Sequence, residues 1–155
     1  MINSVFQPRK RFGQHFLHDT LIIDKIIKTI SPQKKETIVE IGPGKGALTI
    51  PHAKLAIKLH AIELDNDLSV MLKKRFRNNS IVKIIQADAL DFNFSALGNN
   101  LRIIGNLPYN ISTPLMFKLT QYRDHIKDQH FMLQKEVVDR LIAEPGNKNY
   151  GRLTV

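Results

Sequence analysis

Between an apolar run and a helical pattern the chain reads Ile104-Gly105-Asn106-Leu107-Pro108-Tyr109-Asn110-Ile111-Ser112. An amide at the end of a buried strand, a rigid proline and an aromatic are more than a turn requires. Together they can hold a planar ring that bears an amine. The Asn106 side-chain oxygen and a backbone carbonyl at Leu107 or Pro108 can accept both N–H groups of an exocyclic amine. The lone pair of that amine, otherwise delocalised into its ring, is then aimed at an electrophile. Pro108 donates no N–H, so it fixes the turn while its carbonyl stays available. Tyr109 can stack on the ring face, as enzymes that extract a base from its stack require.

A second cluster lies nearer the N-terminus. Val39-Glu40-Ile41-Gly42-Pro43-Gly44-Lys45-Gly46-Ala47 follows one apolar run and precedes a helical pattern. Gly42, Gly44 and Ala47 satisfy the loose G-x-G-x-x-G/A spacing, which serves nicotinamide cofactors and S-adenosylmethionine alike. Glu63, about twenty residues further on, can accept hydrogen bonds from ribose hydroxyls. Asp88, in Gln86-Ala87-Asp88-Ala89-Leu90, can accept from an adenine amino group, although alone it would read as a turn or cap residue. Two features favour the methyl donor. Pro43 removes an amide that a pyrophosphate cradle could use. Glu40 puts a carboxylate where phosphates would lie, which suits a cationic amino-acid ligand.

Strands alternating with helices must position these groups. Apolar spacing predicts a helix over 20–30, with Leu21, Ile22, Ile26, Ile27 and Ile30 on its buried face, ended by Ser31-Pro32. Strands are predicted at 37–41, 58–62, 81–85, 101–104 and 130–133. Thr49-Ile50-Pro51 opens a helix, another runs around 66–77 on Leu68, Met71, Leu72 and Phe76, and KEVVDRLIA forms a further one. Ser112-Thr113-Pro114 is expected to cap a helix to about residue 123. YGRLTV (150–155) reads as the start of another strand. The pattern is that of βαβ units and a mostly parallel sheet.

The chain has 155 residues, 43% hydrophobic and 24% charged, which fits one globular domain and excludes a disordered chain. No apolar run approaches a membrane span, and the N-terminus has no apolar stretch of the secretory kind. With no cysteine, disulfides and thiolate metal sites are excluded and a reducing compartment is expected. The six histidines show no ligand spacing, so no metal is expected. The net charge of +9 makes a polyanion partner plausible, with basic clusters at Arg9-Lys10-Arg11 and at Lys73-Lys74-Arg75 with Arg77.

The segments RKRFGQHFL (9–17), VEIGPGKGALT (39–49), AIELD (61–65), QADAL (86–90), GNLPYNISTPL (105–115), FMLQKEVVDRL (131–141) and YGRLTV (150–155) together resemble the ribosomal small-subunit RNA adenine dimethyltransferases, the bacterial family linked to kasugamycin sensitivity. The resemblance covers nearly the whole chain. It implies an α/β, Rossmann-like methyltransferase with a mostly parallel sheet and helices on both faces, using S-adenosylmethionine. Residues 1–155 would be the catalytic domain, with 1–18 a basic arm that guides RNA. The family's sheet continues beyond the point reached here and a small helical domain follows it, so the sheet is expected to be cut short and that domain absent. The implied reaction is dimethylation of N6 of two adjacent adenosines in a hairpin near the 3′ end of small-subunit (16S) ribosomal RNA. The implied setting is the assembling 30S subunit in the cytoplasm, with no membrane partner and the enzyme a monomer. Cofactor contacts carry over to His15, Leu17, Gly42, Glu63, Asp88 and Asn106. His15 stands where many relatives have Asn. Asn106, Leu107, Pro108 and Tyr109 would hold the target base, with Phe94 or another aromatic on its other face. The alternatives are an adenine methylase of large-subunit RNA or of DNA, an RNA-binding assembly factor on a methylase fold, and an NAD-dependent oxidoreductase, for which no catalytic constellation is evident.

Overall fold

The computed structural model describes residues 17–55 and 58–155. His15 and the Arg9-Lys10-Arg11 arm lie outside the described residues. Among those described there are five strands and five helices, alternating except between β3 and β4: α1 (Thr20–Ile30), β1 (Thr37–Ile41), α2 (Thr49–Lys54), β2 (Lys58–Glu63), α3 (Asn66–Arg75), β3 (Val82–Gln86), β4 (Leu101–Asn106), α4 (Tyr109–Thr120), β5 (Ile126–Met132) and α5 (Lys135–Leu141). A short 3₁₀ turn, Phe94–Leu97, precedes β4. None of these helices is long and apolar enough to cross a membrane.

The strands pair in the order β3-β2-β1-β4-β5, all parallel. A parallel sheet is covered on both faces, so its inner strands need apolar residues on both. Val39, Ile41 and Ile103 face one core, closed by Leu115 and Leu119 of α4 and by Phe94. Ile38, Leu59 and Ile104 face the other, closed by Ile30 and its α1 neighbours Ile26 and Ile27. The chain winds outward from β1 through β2 to β3, then returns to place β4 on the opposite side of β1. That reversal opens a crevice beyond the carboxyl ends of β1 and β4.

Helix ends follow side-chain chemistry. The Asp19 carboxylate accepts the Leu21 and Ile22 N–H groups at 2.9 and 3.2 Å, and Asp65 caps α3 in the same way. Four expectations need correction. Leu21 is 78% exposed and Ile22 is also exposed, because Ile23 turns inward with Ile26 and Ile27. Met71, expected in the core, is exposed. α4 begins at Tyr109 rather than at Ser112: Pro108, extended at ψ 151°, is its N-cap, and Pro114 sits inside the helix. Residues 150–155 form turns, not a strand. Thr154 Oγ1 donates to the Arg140 carbonyl at 2.6 Å, and Arg152 lies over the Phe117 ring, so the segment folds onto α5 and α4.

The opposite end of the sheet is fastened by charge. Arg102 of β4 is 6% exposed. Its Nε donates to Asp128 of β5 at 2.9 Å and an Nη to Glu36 at 2.9 Å. Glu36 also accepts from Lys127 Nζ at 2.6 Å. Burial opposes ionisation of Glu36, but these donors hold its carboxyl down at about 2.

Candidate active site

A cavity of about 360 Å³ occupies the crevice. Every strand contributes its carboxyl end or the residues just after it. The glycine turn forms one wall. Gly42 takes φ +66°, which a side chain rarely adopts. The turn's own amides are engaged: Gly42 N–H donates to the Ile62 carbonyl at 3.0 Å, Gly46 N–H to the Pro43 carbonyl at 2.8 Å, and Gly44 N–H to Glu63 Oε2 at 3.0 Å. Pro43 has none to offer. A pyrophosphate would find the amides of all three glycines committed and a carboxylate beside them, which argues against the dinucleotide reading.

Glu63 is 4% exposed. Its Oε1 accepts from the Asp65 N–H at 2.9 Å, so both oxygens are oriented by backbone donors and each keeps a lone pair for a ligand hydroxyl. Burial pushes its carboxyl up, and the two N–H groups pull the other way. Glu40 is buried at the end of β1 and accepts the Thr49 hydroxyl at 2.7 Å. Burial pushes its carboxyl up to about 7; the Thr49 hydroxyl opposes this and the nearby charge of Glu63 adds to it. A cation entering the cavity is attracted by each of them when ionised, and in turn favours that ionised form. Asp88 lines the wall after β3 with one oxygen accepting the Leu90 N–H at 2.8 Å, so it is a turn residue and a cavity residue at once. Leu17 also lines the cavity.

Asn106 ends β4 and lines the opposite wall. Gly105 lets it approach: a Cβ there would meet the Ile41 backbone oxygen at 2.7 Å, so β1 and β4 close at their ends only with glycine in that position. Of the two carbonyls considered for the amine, that of Pro108 accepts the Ile111 and Ser112 N–H groups at 3.3 and 3.2 Å, as an N-cap does. The Leu107 carbonyl receives no hydrogen bond among the described residues, which makes it the better placed acceptor. Tyr109 opens α4 with 49% of its surface exposed, at the rim rather than in the lining. Phe94 has no exposed surface. Its ring packs edge-on against Phe92 and Tyr122 at 5.2 and 5.4 Å, so it is a core residue with no face for a base. Asn110 and Gln134 also line the cavity without having been singled out. A polar residue just beyond a parallel strand is the signal that would have found Gln134.

The fold and site define a Rossmann-like methyltransferase. Residues 5–155 match the ribosomal RNA adenine dimethylase family, and the chain belongs to it. It is 58% identical over 150 residues to the ribosomal RNA small subunit methyltransferase A of Psychromonas ingrahamii, covering 95% of this chain and 56% of that protein. It is also similar to the crystal structure of a dimethyladenosine transferase from Plasmodium falciparum: TM-score 0.81, 34% identity, covering 91% of this chain and 51% of the other. An RNA methyltransferase from Salinibacter ruber, solved with S-adenosyl-L-homocysteine, shares the fold at TM-score 0.61 and 16% identity, covering 72% of this chain and 71% of the other. The chain spans 56–59% of the length of the curated relatives it matches.

Proposed function

We propose that this chain is the catalytic part of an S-adenosylmethionine-dependent enzyme that dimethylates N6 of two adjacent adenosines in small-subunit (16S) ribosomal RNA. The observation that carries the reading is the opposition, across one cavity, of Glu63 and Asp88 to Asn106 and the Leu107 carbonyl. The small-subunit target follows the names of relatives 49–58% identical to this chain.

The residues present fit the methyl donor. Glu63 would bind the ribose hydroxyls, Asp88 the adenine amino group, and Gly42 the close approach of the ligand to β1. Glu63 favours its positive charge, and Glu40 does so in its ionised form. Leu17, Asn106 and, by resemblance, His15 complete the contacts. Bound S-adenosylmethionine supplies an electrophilic methyl on a sulfonium sulfur, which keeps the bonding electron pair as the methyl leaves. Asn106 Oδ1 and the Leu107 carbonyl accept the two N–H groups of the target amine and orient its lone pair along the line of transfer. The proton lost by the amine passes to water. Tyr109 stacks on the flipped base. This is catalysis by positioning and electrostatics, and it calls for no strong base. The basic residues Arg9-Lys10-Arg11 and the +9 charge support RNA binding; the setting we propose is the assembling subunit in the cytoplasm, with the enzyme a monomer.

The test is to incubate the chain with labelled S-adenosylmethionine and unmethylated small ribosomal subunits, then measure bound cofactor and N6-dimethyladenosine together. Dimethyladenosine is expected. Cofactor binding without product would refute catalysis by this chain alone, and no binding by a folded chain would refute the cofactor reading.

A further inference from the structure

Beside the Asn106 turn lies a second turn built like it. β4 and β5 pair with Asn106 opposite Met132, and the Leu107 N–H donates to the Met132 carbonyl at 3.1 Å. Each strand then runs two residues to a helix N-cap, Pro108 before α4 and Gln134 before α5. Their backbones nearly coincide, at φ −66° and ψ 151° for Pro108 and φ −66° and ψ 148° for Gln134. Each N-cap carbonyl accepts the N–H groups three and four residues on. Only the side chains differ. Gln134 carries a primary amide that does not cap its own helix and enters no hydrogen bond among the described residues. It is exposed and lines the cavity.

The two sides of the cavity differ in kind. On the β1–β3 side the lining carries the carboxylates Glu40, Glu63, Asp65 and Asp88, which when ionised only accept, together with Lys45 on the glycine turn. On the β4–β5 side the lining polar side chains are the amides Asn106, Asn110 and Gln134. An amide both donates and accepts. A nucleobase edge also has both, and on adenine the ring N1 acceptor adjoins the N6 amine. With the N6 protons taken by Asn106 and Leu107, N1 requires a donor. Gln134, level with Pro108 on the neighbouring turn, carries one on a side chain one methylene longer than that of Asn110.

Resting on the function proposed above, we infer that the Gln134 side-chain amide donates to ring N1 of the target adenine and makes Gln134 a specificity-determining residue. A base with carbon in place of N1 would leave the Gln134 donor unpaired and be taken less well.

The test replaces the target adenosine with 1-deazaadenosine, in which N1 becomes C–H, in RNA reconstituted into small subunits. kcat/KM for methylation is compared for the wild-type chain, Gln134→Ala, Gln134→Glu and Asn110→Ala, with 7-deazaadenosine as control. Wild type should lose about 10-fold on the 1-deaza substrate. Gln134→Ala should lose about as much on adenosine and nothing further on 1-deazaadenosine, which is the non-additivity of a shared contact. Gln134→Glu should be no better than alanine, since a carboxylate cannot donate. The 7-deaza substitution should affect all four alike. Losses that multiply for Gln134→Ala, or non-additivity found with Asn110→Ala instead, overturn the assignment. Failure of the wild type on unmodified subunits overturns the functional reading beneath it.

Discussion

The two walls of the cavity are prepared to different degrees. On the β1–β3 wall each carboxylate already has a protein partner: Glu63 two backbone N–H groups, Glu40 the Thr49 hydroxyl, Asp88 the Leu90 N–H. Glu40 and Glu63 are buried. On the β4–β5 wall Tyr109, Asn110 and Gln134 are exposed. The difference matches two kinds of guest. A small ligand gains from groups fixed in advance, because ordering them does not then oppose binding. A base swung out of a large RNA arrives with its own scaffold and needs an open rim.

Substitutions can break or sharpen that contrast. The largest effect is expected for Asn106→Ala: dimethyladenosine formation falls by about 10³-fold or more, while the melting temperature moves little because Asn106 is not fully buried. Nucleoside analysis and a thermal melt measure the two, and full activity would remove Asn106 from the mechanism. Next is the response of Glu40 to pH. Its folded value of about 7 lies above the usual 4.5. The stability held in its proton is therefore complete below pH 4.5 and lost as pH rises through 7. Urea unfolding at pH 5 and pH 8 should show Glu40→Gln gaining up to about 3 kcal/mol on the wild type over that interval. A difference independent of pH would contradict the protonated, buried carboxyl. Glu63→Ala should weaken cofactor binding by about 10- to 100-fold in calorimetry, with turnover largely retained at saturation. An equal loss of turnover would move Glu63 to the reacting atoms. The smallest effects concern stacking: Tyr109→Ala should cost about 10-fold in kcat/KM and Tyr109→Phe much less. Equal losses would implicate the hydroxyl instead of the ring.

The prepared wall was the more legible in the sequence. Gly42, Glu63 and Asp88 announce themselves by local type and by position after an apolar run, and β1 was found to the residue. Elements that depend on distant partners were not. The first half of β5 is polar, with Lys127 and Asp128 answering Glu36 and Arg102, so only its apolar end was visible. Ser112-Thr113-Pro114 imitates a helix start, but Pro108 nucleates the helix sooner and the Ser112 hydroxyl turns to the Tyr109 carbonyl at 3.0 Å. Gln134 had a local signal, its place just beyond the visible end of β5, but its neighbourhood with Asn106 arises only when Asn106 and Met132 pair.

The Arg102–Asp128 ion pair has a further consequence, best put in terms of tolerances. The interval from Arg102 to Pro108 equals that from Asp128 to Gln134, so β4 and β5 act as two rulers of one length, zeroed at the same charged pin. At Leu101/Arg102 the pairing skips a residue, leaving Lys127 out of register and absorbing any mismatch below the pin. Residues 121–125 can therefore gain or lose length while the two turns stay level. A single deletion between Asp128 and Gln134 would shift one graduation against the other and flip the side chains along the strand. The site's precision is thus set at the far end of the sheet from its chemistry.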